Sequence, residues 1–384
     1  MSCCDVIVVK QPDGSLKSTP FYVEFAYNYS TERKEVIIAI EKKKTKVSLH
    51  LKPGHLRCYF GDKINVEKDD EQHMKNKMEG SAAENVSKSE TKEEMKELQK
   101  REPQLQEKKD AKTADPSKKS YFSRTVSYLF PQDQLLERME NDKVYSLDHL
   151  TPTAQHLTQL NLKPGINHVH YILEGNRSRN IKRQVIEGTI FLWNYKDRIA
   201  LCDIDGTVTK SDTMGLVFTA VGYYKYVHPG ICSLLSTIEK RGYHVLYLTA
   251  RSISQGHKTR QFIESIRQQN YDMPHGPILT SYNNLYHAAV REYILYRSET
   301  FKIQALKGIQ SLFPEDVVPF VLGLGNKPTD HESYVAIGIK VDNIFIIDPA
   351  GQVKGLKSQK DYAYGGYEEV QHALGDVLPE LLLN

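Results

Sequence analysis

The stretch that most constrains this chain is residues 198–209, which read Arg-Ile-Ala-Leu-Cys-Asp-Ile-Asp-Gly-Thr-Val-Thr. Its apolar beginning, residues 199–202, is typical of a buried strand in a parallel sheet. Two carboxylates, Asp203 and Asp205, come directly after this run, and a glycine and Thr207 follow them. Because ligands bind beyond the carboxyl ends of the strands in open α/β sheets, the sequence predicts a binding site at this point.

The chain beyond residue 198 alternates between apolar runs and segments of helical periodicity. Further strands are predicted at residues 245–249, 320–324 and 344–347. Helices are predicted between them, at residues 230–241, 254–269, 285–296 and 301–313. Strands that alternate with helices are typical of a doubly wound parallel sheet.

Polar side chains stand at three further strand ends or helix beginnings of this region. Thr249 ends the second predicted strand, and Lys302 lies early in a predicted helix. A glycine-rich strand end is followed by Asn326 and, four residues later, by Asp330.

This set of side chains suits phosphoryl transfer. One aspartate can attack phosphorus and form an aspartyl-phosphate. The carboxylate two positions further on can protonate the leaving oxygen and later activate water. Two carboxylates and a third acidic group suit a hard cation such as Mg²⁺, and a threonine and a lysine can bind the phosphoryl oxygens.

In their order along the chain these four elements resemble the motifs of the haloacid-dehalogenase-like phosphohydrolases. The resemblance implies that Asp203 is the nucleophile and that Asp205 is the general acid and base. The residues that it implies for phosphate binding are Thr207, Thr249 and Lys302. Those that it implies for the metal are Asp203, Asp205, Asn326 and Asp330. That family often has a carboxylate where this chain has Asn326, so both Asn326 and Asp330 remain candidate ligands.

The spacing of the motifs leaves little room for a cap over the site. Between Asp205 and Thr249 there is space for a loop and one helix, and between Thr249 and Lys302 for about one helix-strand-helix unit. We therefore predict an open site without a large cap, which suits a large or surface-bound substrate.

The beginning of the chain predicts β structure. Short alternating strands separated by Gly and Pro turns run through residues 5–60, a pattern typical of a β-sandwich. Two more alternating segments, residues 167–173 and 185–193, are predicted to complete it. Between these parts, residues 62–120 contain many charged residues and no aromatic residue, which predicts a disordered or loosely helical linker.

The predicted fold class is therefore α/β plus all-β, with the β-sandwich beside the α/β domain. The predicted divisions are residues 1–61, the first half of the sandwich; 62–120, the charged disordered linker; 121–195, a docking segment and the remaining sandwich strands; and 196–384, the catalytic domain.

Several segments, two of which contain the first and fourth motifs, resemble the lipins, a family of Mg²⁺-dependent phosphatidate phosphatases. They are residues 5–16, 18–25, 157–165, 187–194, 203–213, 275–279 and 325–330. The resemblance implies a haloacid-dehalogenase-like Rossmannoid sheet beside an immunoglobulin-like β-sandwich that is built from both terminal regions. It also implies hydrolysis of phosphatidate to diacylglycerol and phosphate through an aspartyl-phosphate at a membrane surface.

The partners that this resemblance implies are phosphatidate in a membrane, an anionic membrane surface, and a regulatory kinase or phosphatase that acts on the linker. It implies a cytoplasmic protein that associates reversibly with the endoplasmic reticulum or nuclear membrane. A net charge of +3 over 384 residues gives no reason to expect nucleic acid. Two rival functions are a protein phosphoserine phosphatase of the same superfamily and a non-catalytic scaffold or coregulator.

Membrane docking is expected to use segments other than the amphipathic helix with which lipins usually begin. The candidates are the aromatic segment 121–130, the tyrosine-rich loop 223–226, and acylated Cys3 and Cys4. The five cysteines lack metal-ligand spacing, which suits a reducing compartment.

Overall fold

The computed structural model of the chain describes residues 2–26, 32–53, 55–60, 147–176, 182–210, 226–281, 298–357 and 360–381. All of them belong to one compact unit. They form a mixed α/β structure, which confirms the predicted class in its general form. The predicted linker, the aromatic segment 121–130 and the predicted helix 285–296 lie outside the described residues, as does the tyrosine-rich loop except for its last residue.

The first sheet region combines strands from both sides of residues 61–146. Its strands are β1 (Ser2–Cys3), β2 (Val6–Lys10), β3 (Leu16–Ser18), β4 (Val23–Glu24), β5 (Lys34–Ile40), β6 (Lys43–Leu51), β7 (Cys58–Tyr59), β8 (Gly165–Leu173) and β9 (Gln184–Asn194). Seven of them form one sheet in the order β3-β2-β9-β8-β5-β6-β7, and β1 pairs with β4 as a separate ribbon. Strands β2 and β9 are parallel, with Val6 opposite Ile190, and all the other neighbours are antiparallel.

Alternation along these strands buries one face of the seven-stranded sheet. In β5 the buried residues Val36, Ile38 and Ile40 alternate in this way, and β8 presents Val169 and Tyr171 to the same core. This core is built from both segments of the chain, so neither segment can bury its apolar face alone.

Two short helices, α1 (Leu147–Leu150) and α2 (Ala154–Gln159), precede β8. The apolar spacing of residues 150–162 predicts one helix, whereas the structure ends α1 at Leu150 and begins α2 at Ala154. Pro152 interrupts the segment, because proline lacks the N–H that a helix interior needs. Thr153 then begins α2, accepting a hydrogen bond from the backbone N–H of His156 at 3.2 Å while the His156 ring accepts one from the backbone of Thr153.

The second sheet is mainly parallel. The strands of this region are β10 (Ile199–Asp203), β11 (His244–Ser252), β12 (Arg267–Gln268), β13 (Tyr271–Asp272), β14 (Ile278–Ser281), β15 (Phe320–Gly325), β16 (Ile344–Ile347), β17 (Val353–Lys357) and β18 (Lys360–Tyr364). The sheet order is β14-β11-β10-β15-β16-β17-β18, in which the first five strands are parallel and the last two antiparallel. Strand β10 lies in the middle of the parallel part and is buried along its whole length.

The helices of this region are α3 (Ile231–Lys240), α4 (Gly256–Ser265), α5 (Ser298–Gln310), α6 (Pro328–Ala336) and α7 (Tyr367–Val377). Short 3₁₀ turns occur at Ile253–Gln255 and Val341–Asn343. None of the helices in the described part of the chain is long and apolar enough to cross a membrane.

The two sheets share a continuous apolar contact. One face of β2 and β9 packs against the parallel sheet and α5, through a cluster that includes Ile7, Val9, Phe191, Trp193, Leu246, Leu248 and Ile309. A partly buried ion pair between Asp5 and Arg260 joins the same regions, and Asp5 also accepts a hydrogen bond from the backbone N–H of Ile278 at 2.7 Å. The beginning of β2 is therefore fixed beside β14 and α4.

Cys3 and Cys4, the predicted acylation sites, are packed within this junction. Cys4 is buried, and its Sγ lies 3.7 Å from Oγ1 of Thr280. The thiol of Cys3 donates a hydrogen bond to the carbonyl oxygen of Glu187 at 3.3 Å, and burial raises its pKa to about 12. Because the thiolate is the reactive form, this environment argues against these cysteines as acylated anchors of the folded chain.

Candidate active site

The site is built on the turn that follows β10. Asp203 is the last residue of that strand, and Asp205 lies two residues further on, beyond the edge of the sheet. Gly206 has a φ of 93°, a left-handed conformation that glycine adopts without the steric cost of a side chain. The backbone N–H of Gly206 donates to Oγ1 of Thr209 at 3.1 Å, so the turn closes on itself.

Lys302 contacts both Asp203 and Asp330 at the carboxyl end of β10. The Nζ of Lys302 donates to Oδ1 of Asp203 and to Oδ1 of Asp330, both at 2.6 Å. Asp203 is 5% exposed and Asp330 1% exposed, so one ammonium group is shared by two buried carboxylates. The structure thus brings together residues of β10, α5 and α6 that the sequence predicted for one site.

The electrostatics of this group follow from its burial. Burial raises the pKa of Asp203 and Asp330 acts in the same direction, whereas Lys302 opposes the shift. Burial disfavours the charge on Lys302, but the two carboxylates outweigh it and raise the pKa of the ammonium. The two aspartates and the lysine, when all are ionised, carry one uncompensated negative charge.

Asp330 has a second role at the beginning of α6. Its Oδ2 accepts hydrogen bonds from the backbone N–H groups of Asn326 and Lys327, both at 3.0 Å. A carboxylate at this position satisfies backbone donors that a helix leaves unpaired. Asp330 is therefore anchored by its own helix, and its other oxygen faces Lys302.

Asp205 is held by different partners. Its Oδ2 accepts a hydrogen bond from Oγ1 of Thr249 at 2.8 Å. Its Oδ1 accepts from Nη2 of Arg251 at 2.7 Å and from Nε of the same guanidinium at 3.2 Å. Arg251, which the sequence-based site did not include, is thus the nearest positive charge to this carboxylate.

Thr207, which was also predicted to bind phosphate, is completely buried. Its backbone carbonyl accepts a hydrogen bond from the hydroxyl of Tyr367 at 3.0 Å, which ties the turn to α7. Within the described residues its own Oγ1 has no hydrogen-bond partner. An unsatisfied buried hydroxyl of this kind is uncommon in folded proteins.

The predicted metal set divides into two parts. Asp203, Asp330 and Asn326 are adjacent, but both oxygens of Asp205 are engaged by Thr249 and Arg251. Among the described residues, no group of three or more His, Cys, Asp and Glu side chains is arranged to hold a metal ion. The carboxylate of Asp205 thus contacts residues of β11, and its place among the metal ligands stays a prediction.

The remaining donors fit a small divalent cation in their chemistry. The carboxylate oxygens of Asp203 and Asp330 and the side-chain oxygen of Asn326 are hard ligands of the kind that Mg²⁺ prefers. The excess negative charge of the buried aspartates favours a cation in addition to Lys302.

The comparison with known proteins identifies the family. The family model LNS2 (Lipin/Ned1/Smp2) matches residues 148–379, which include every residue of this site. The chain belongs to the lipin family. A second model, the lipin N-terminal conserved region, matches residues 1–82 of this lipin-family chain.

Three curated relatives illustrate the similarity. The chain is 33% identical over 253 residues to nuclear elongation and deformation protein 1 of Schizosaccharomyces pombe, an alignment that covers 62% of this chain and 38% of that protein. It is 37% identical over 202 residues to phosphatidate phosphatase PAH1 of Arabidopsis thaliana, covering 53% and 22%. It is 35% identical over 201 residues to phosphatidate phosphatase LPIN1 of Homo sapiens, covering 52% and 22%. The matched part is thus about a fifth to two fifths of each relative's length.

The backbone of Gly325 lies close to the side chain of Asp330, which leaves no room for a Cβ at position 325. A Cβ added at Gly325 would lie 2.6 Å from Cβ of Asp330 and 2.9 Å from its Oδ2. We expect Gly325→Ala to lower the free energy of unfolding by about 1–3 kcal/mol, because the beginning of α6 must shift to make room. Thermal unfolding tests this expectation. Gly308→Ala on α5 is the matched control, since its Cβ would meet nothing within 4 Å and alanine favours a helix. Equal unfolding temperatures for the two variants would contradict the prediction.

Proposed function

We propose that this chain is a phosphatidate phosphatase, which hydrolyses phosphatidate to diacylglycerol and phosphate. The observation that carries the proposal is the pair of aspartates at the end of β10, each held by a different basic residue. Asp203 contacts Lys302 at 2.6 Å, and Asp205 contacts Arg251 at 2.7 Å. Membership of the lipin family, in which several relatives are named phosphatidate phosphatases, supports the choice of substrate.

In the proposed reaction a carboxylate oxygen of Asp203 attacks phosphorus, and the bond from phosphorus to the glycerol oxygen breaks. Asp205 donates its proton to that oxygen, so that diacylglycerol leaves as an alcohol. Water then attacks phosphorus and gives a proton to Asp205, and the bond to Asp203 breaks to release phosphate. Lys302, Thr249 and Thr207 would bind the phosphoryl oxygens.

The proposed reaction requires a divalent cation. Asp203, Asp330 and Asn326 would hold Mg²⁺, while the carboxylate of Asp205, the fourth predicted ligand, stays with Thr249 and Arg251 as general acid and base. When bound, the ion would neutralise charge on the phosphoryl group. Lys302 meanwhile keeps Asp203 and Asp330 together, at 2.6 Å from each.

The proposed architecture is a haloacid-dehalogenase-like catalytic domain over residues 196–384, without a large cap. An immunoglobulin-like sandwich would comprise residues 1–61 and the strands of 121–195, with residues 62–120 as a linker. The seven-stranded sheet of β2, β3 and β5–β9 supports one part of this proposal, that both segments build the same β unit, because its strands come from both.

The proposed setting is a membrane surface. Phosphatidate lies in a bilayer, so we propose an anionic membrane as the partner and reversible association with the endoplasmic reticulum or nuclear membrane. A kinase or phosphatase that acts on the linker would regulate this association. An uncapped site suits a substrate that stays in the bilayer.

Phosphate release from phosphatidate in detergent mixed micelles tests the proposal. We expect release from phosphatidate in the presence of Mg²⁺ and at least about 100-fold slower release from a phosphoserine peptide. The reverse preference would favour a protein phosphatase, and no release from either substrate would favour a scaffold.

Removal of divalent cations gives a second prediction. We expect a chelator to lower phosphate release by at least about 100-fold and Mg²⁺ to restore it, because the cation offsets the charge on the phosphoryl group. Full activity after exhaustive chelation would contradict the proposed ligand set. Addition of Ca²⁺ instead of Mg²⁺ serves as a control, since Ca²⁺ prefers a larger and less regular set of oxygen ligands.

A further inference from the structure

Both carboxylate oxygens of Asp205 accept hydrogen bonds from side chains of the neighbouring strand. Thr249 donates to one oxygen at 2.8 Å, and two nitrogens of Arg251 donate to the other at 2.7 and 3.2 Å. Both partners lie on β11 two residues apart, a spacing that puts side chains on the same face of a strand. The carboxylate is therefore oriented by the neighbouring strand and not by the turn that carries it.

Arg251 is itself fixed in place. Its side chain is 5% exposed, and its Nη1 lies 3.4 Å from Oγ1 of Thr259 on α4. Its guanidinium carbon lies 6.0 Å from the centre of the Phe262 ring, one helical turn further along α4. Its backbone N–H donates to Oγ1 of Thr249 at 3.1 Å, so the two residues that hold Asp205 are also joined to each other.

We propose that Arg251 is a positioning residue for proton transfer, which holds Asp205 where the departing oxygen of the substrate will be. The proposal rests on the proposed function, in which Asp205 is the general acid and base. Arg251 does not replace Lys302, which contacts the other aspartate. It acts on the reaction through Asp205.

The consequence of this role depends on the leaving group. In the first step the bond from Asp203 to phosphorus forms, the bond from phosphorus to the leaving oxygen breaks, and the proton of Asp205 passes to that oxygen. An alkoxide such as that of diacylglycerol is a poor leaving group and needs the proton as the bond breaks. A nitrophenolate is a stable anion and leaves without it, so a misplaced acid slows the first substrate far more than the second.

The test compares two substrates in the full chain. In Arg251→Gln we expect kcat for phosphatidate to fall about 100- to 1,000-fold, with KM changed by less than about 3-fold. For p-nitrophenyl phosphate we expect kcat to fall by less than about 10-fold. Arg251→Lys, which keeps the charge but not the paired donors, is expected to recover part of the loss for phosphatidate.

Arg260→Gln is the matched control. Arg260 is also a mostly buried arginine paired with an aspartate, Asp5, but it lies at the junction of the two sheets. Loss of its ion pair can act only through the fold, so both substrates are expected to slow by the same factor.

The outcomes separate the alternatives. Equal losses for both substrates in Arg251→Gln would overturn the proposal and indicate that Arg251 binds the phosphoryl group or supports the fold. No loss for either substrate would also overturn it. If the wild-type chain hydrolyses a simple alkyl phosphate but not phosphatidate, the proposed substrate fails, and the alkyl and nitrophenyl phosphates still decide the role of Arg251. Activity on none of them would overturn both.

Discussion

Asp203→Asn is expected to lower phosphate release from phosphatidate by about 10,000-fold or more while the chain keeps its fold. The asparagine amide is isosteric with the carboxylate, and its oxygen can still accept the hydrogen bond from Lys302 that Asp203 accepts at 2.6 Å. It cannot form an aspartyl-phosphate, so the covalent route is lost. Initial rates in mixed micelles, with circular dichroism to follow the fold, measure the effect.

Asp316→Asn is the matched control for this variant. Asp316 is exposed, precedes β15, and takes part in no ion pair of the described residues, so its substitution should leave the rate within about 2-fold. If Asp203→Asn kept more than a hundredth of wild-type activity, Asp203 would not be the nucleophile.

Lys302→Met has the second large expected effect, and it acts on stability as well as on activity. Removal of the ammonium leaves Asp203 and Asp330 buried beside each other without the charge that now lies 2.6 Å from both. Losing one partner from a buried ion pair typically costs about 3–5 kcal/mol, and we expect a lower free energy of unfolding of that order. Activity should fall by about 100- to 1,000-fold because a donor to the phosphoryl oxygens is lost. Chemical denaturation and initial rates measure the two effects.

Lys307→Met, on the same helix, is the matched control for Lys302→Met. Lys307 is exposed near the end of α5 and contacts neither aspartate, so its replacement should change the free energy of unfolding by less than about 1 kcal/mol. Similar destabilisation in the two variants would mean that the lysine-to-methionine change acts through the helix. A stable but inactive Lys302→Met would mean that the shared ion pair contributes nothing to folding.

The central strands of the parallel sheet could be predicted from the sequence because they are apolar and bounded by clear turns. Strand β16 was placed at its observed limits, and β11 and β15 within a few residues. Strands β17 and β18 were missed because they form an antiparallel extension at the edge of the sheet, where polar residues such as those of Lys360–Tyr364 are tolerated. Strand β14 was missed because two of its four residues, Thr280 and Ser281, are polar, so it lacks the continuous apolar run that marks β16.

The sequence predicted only a part of the candidate site. Residue types at strand ends pointed to Asp203, Lys302 and Asp330, and the structure brings these three together. The direction of the Asp205 side chain depends on the register of β10 against β11, in which Asp203 lies opposite Leu248. No local pattern encodes that register, so the pairing of Asp205 with Arg251 became visible only in the structure.

The contact of Tyr367 with the turn after β10 could not be predicted from the sequence either. Its hydroxyl reaches the carbonyl oxygen of Thr207 from a helix near the end of the chain. Nothing in the two local sequences signals this contact. The buried setting of Thr207, which leaves its own hydroxyl without a partner in the described part of the chain, follows from the packing around that turn.

The most direct test of the account is to trap the phosphorylated enzyme. The full chain is mixed with phosphatidate that carries a radioactive phosphate, the reaction is quenched in acid, and the modified peptide is identified by mass spectrometry. The account predicts phosphate on Asp203, its accumulation in Asp205→Asn when a substrate with a good leaving group is used, and its absence in Asp203→Asn. The account would be contradicted if the wild-type chain formed product but carried no phosphate on Asp203 at any quench time, and if Asp205→Asn also carried no phosphate on Asp203.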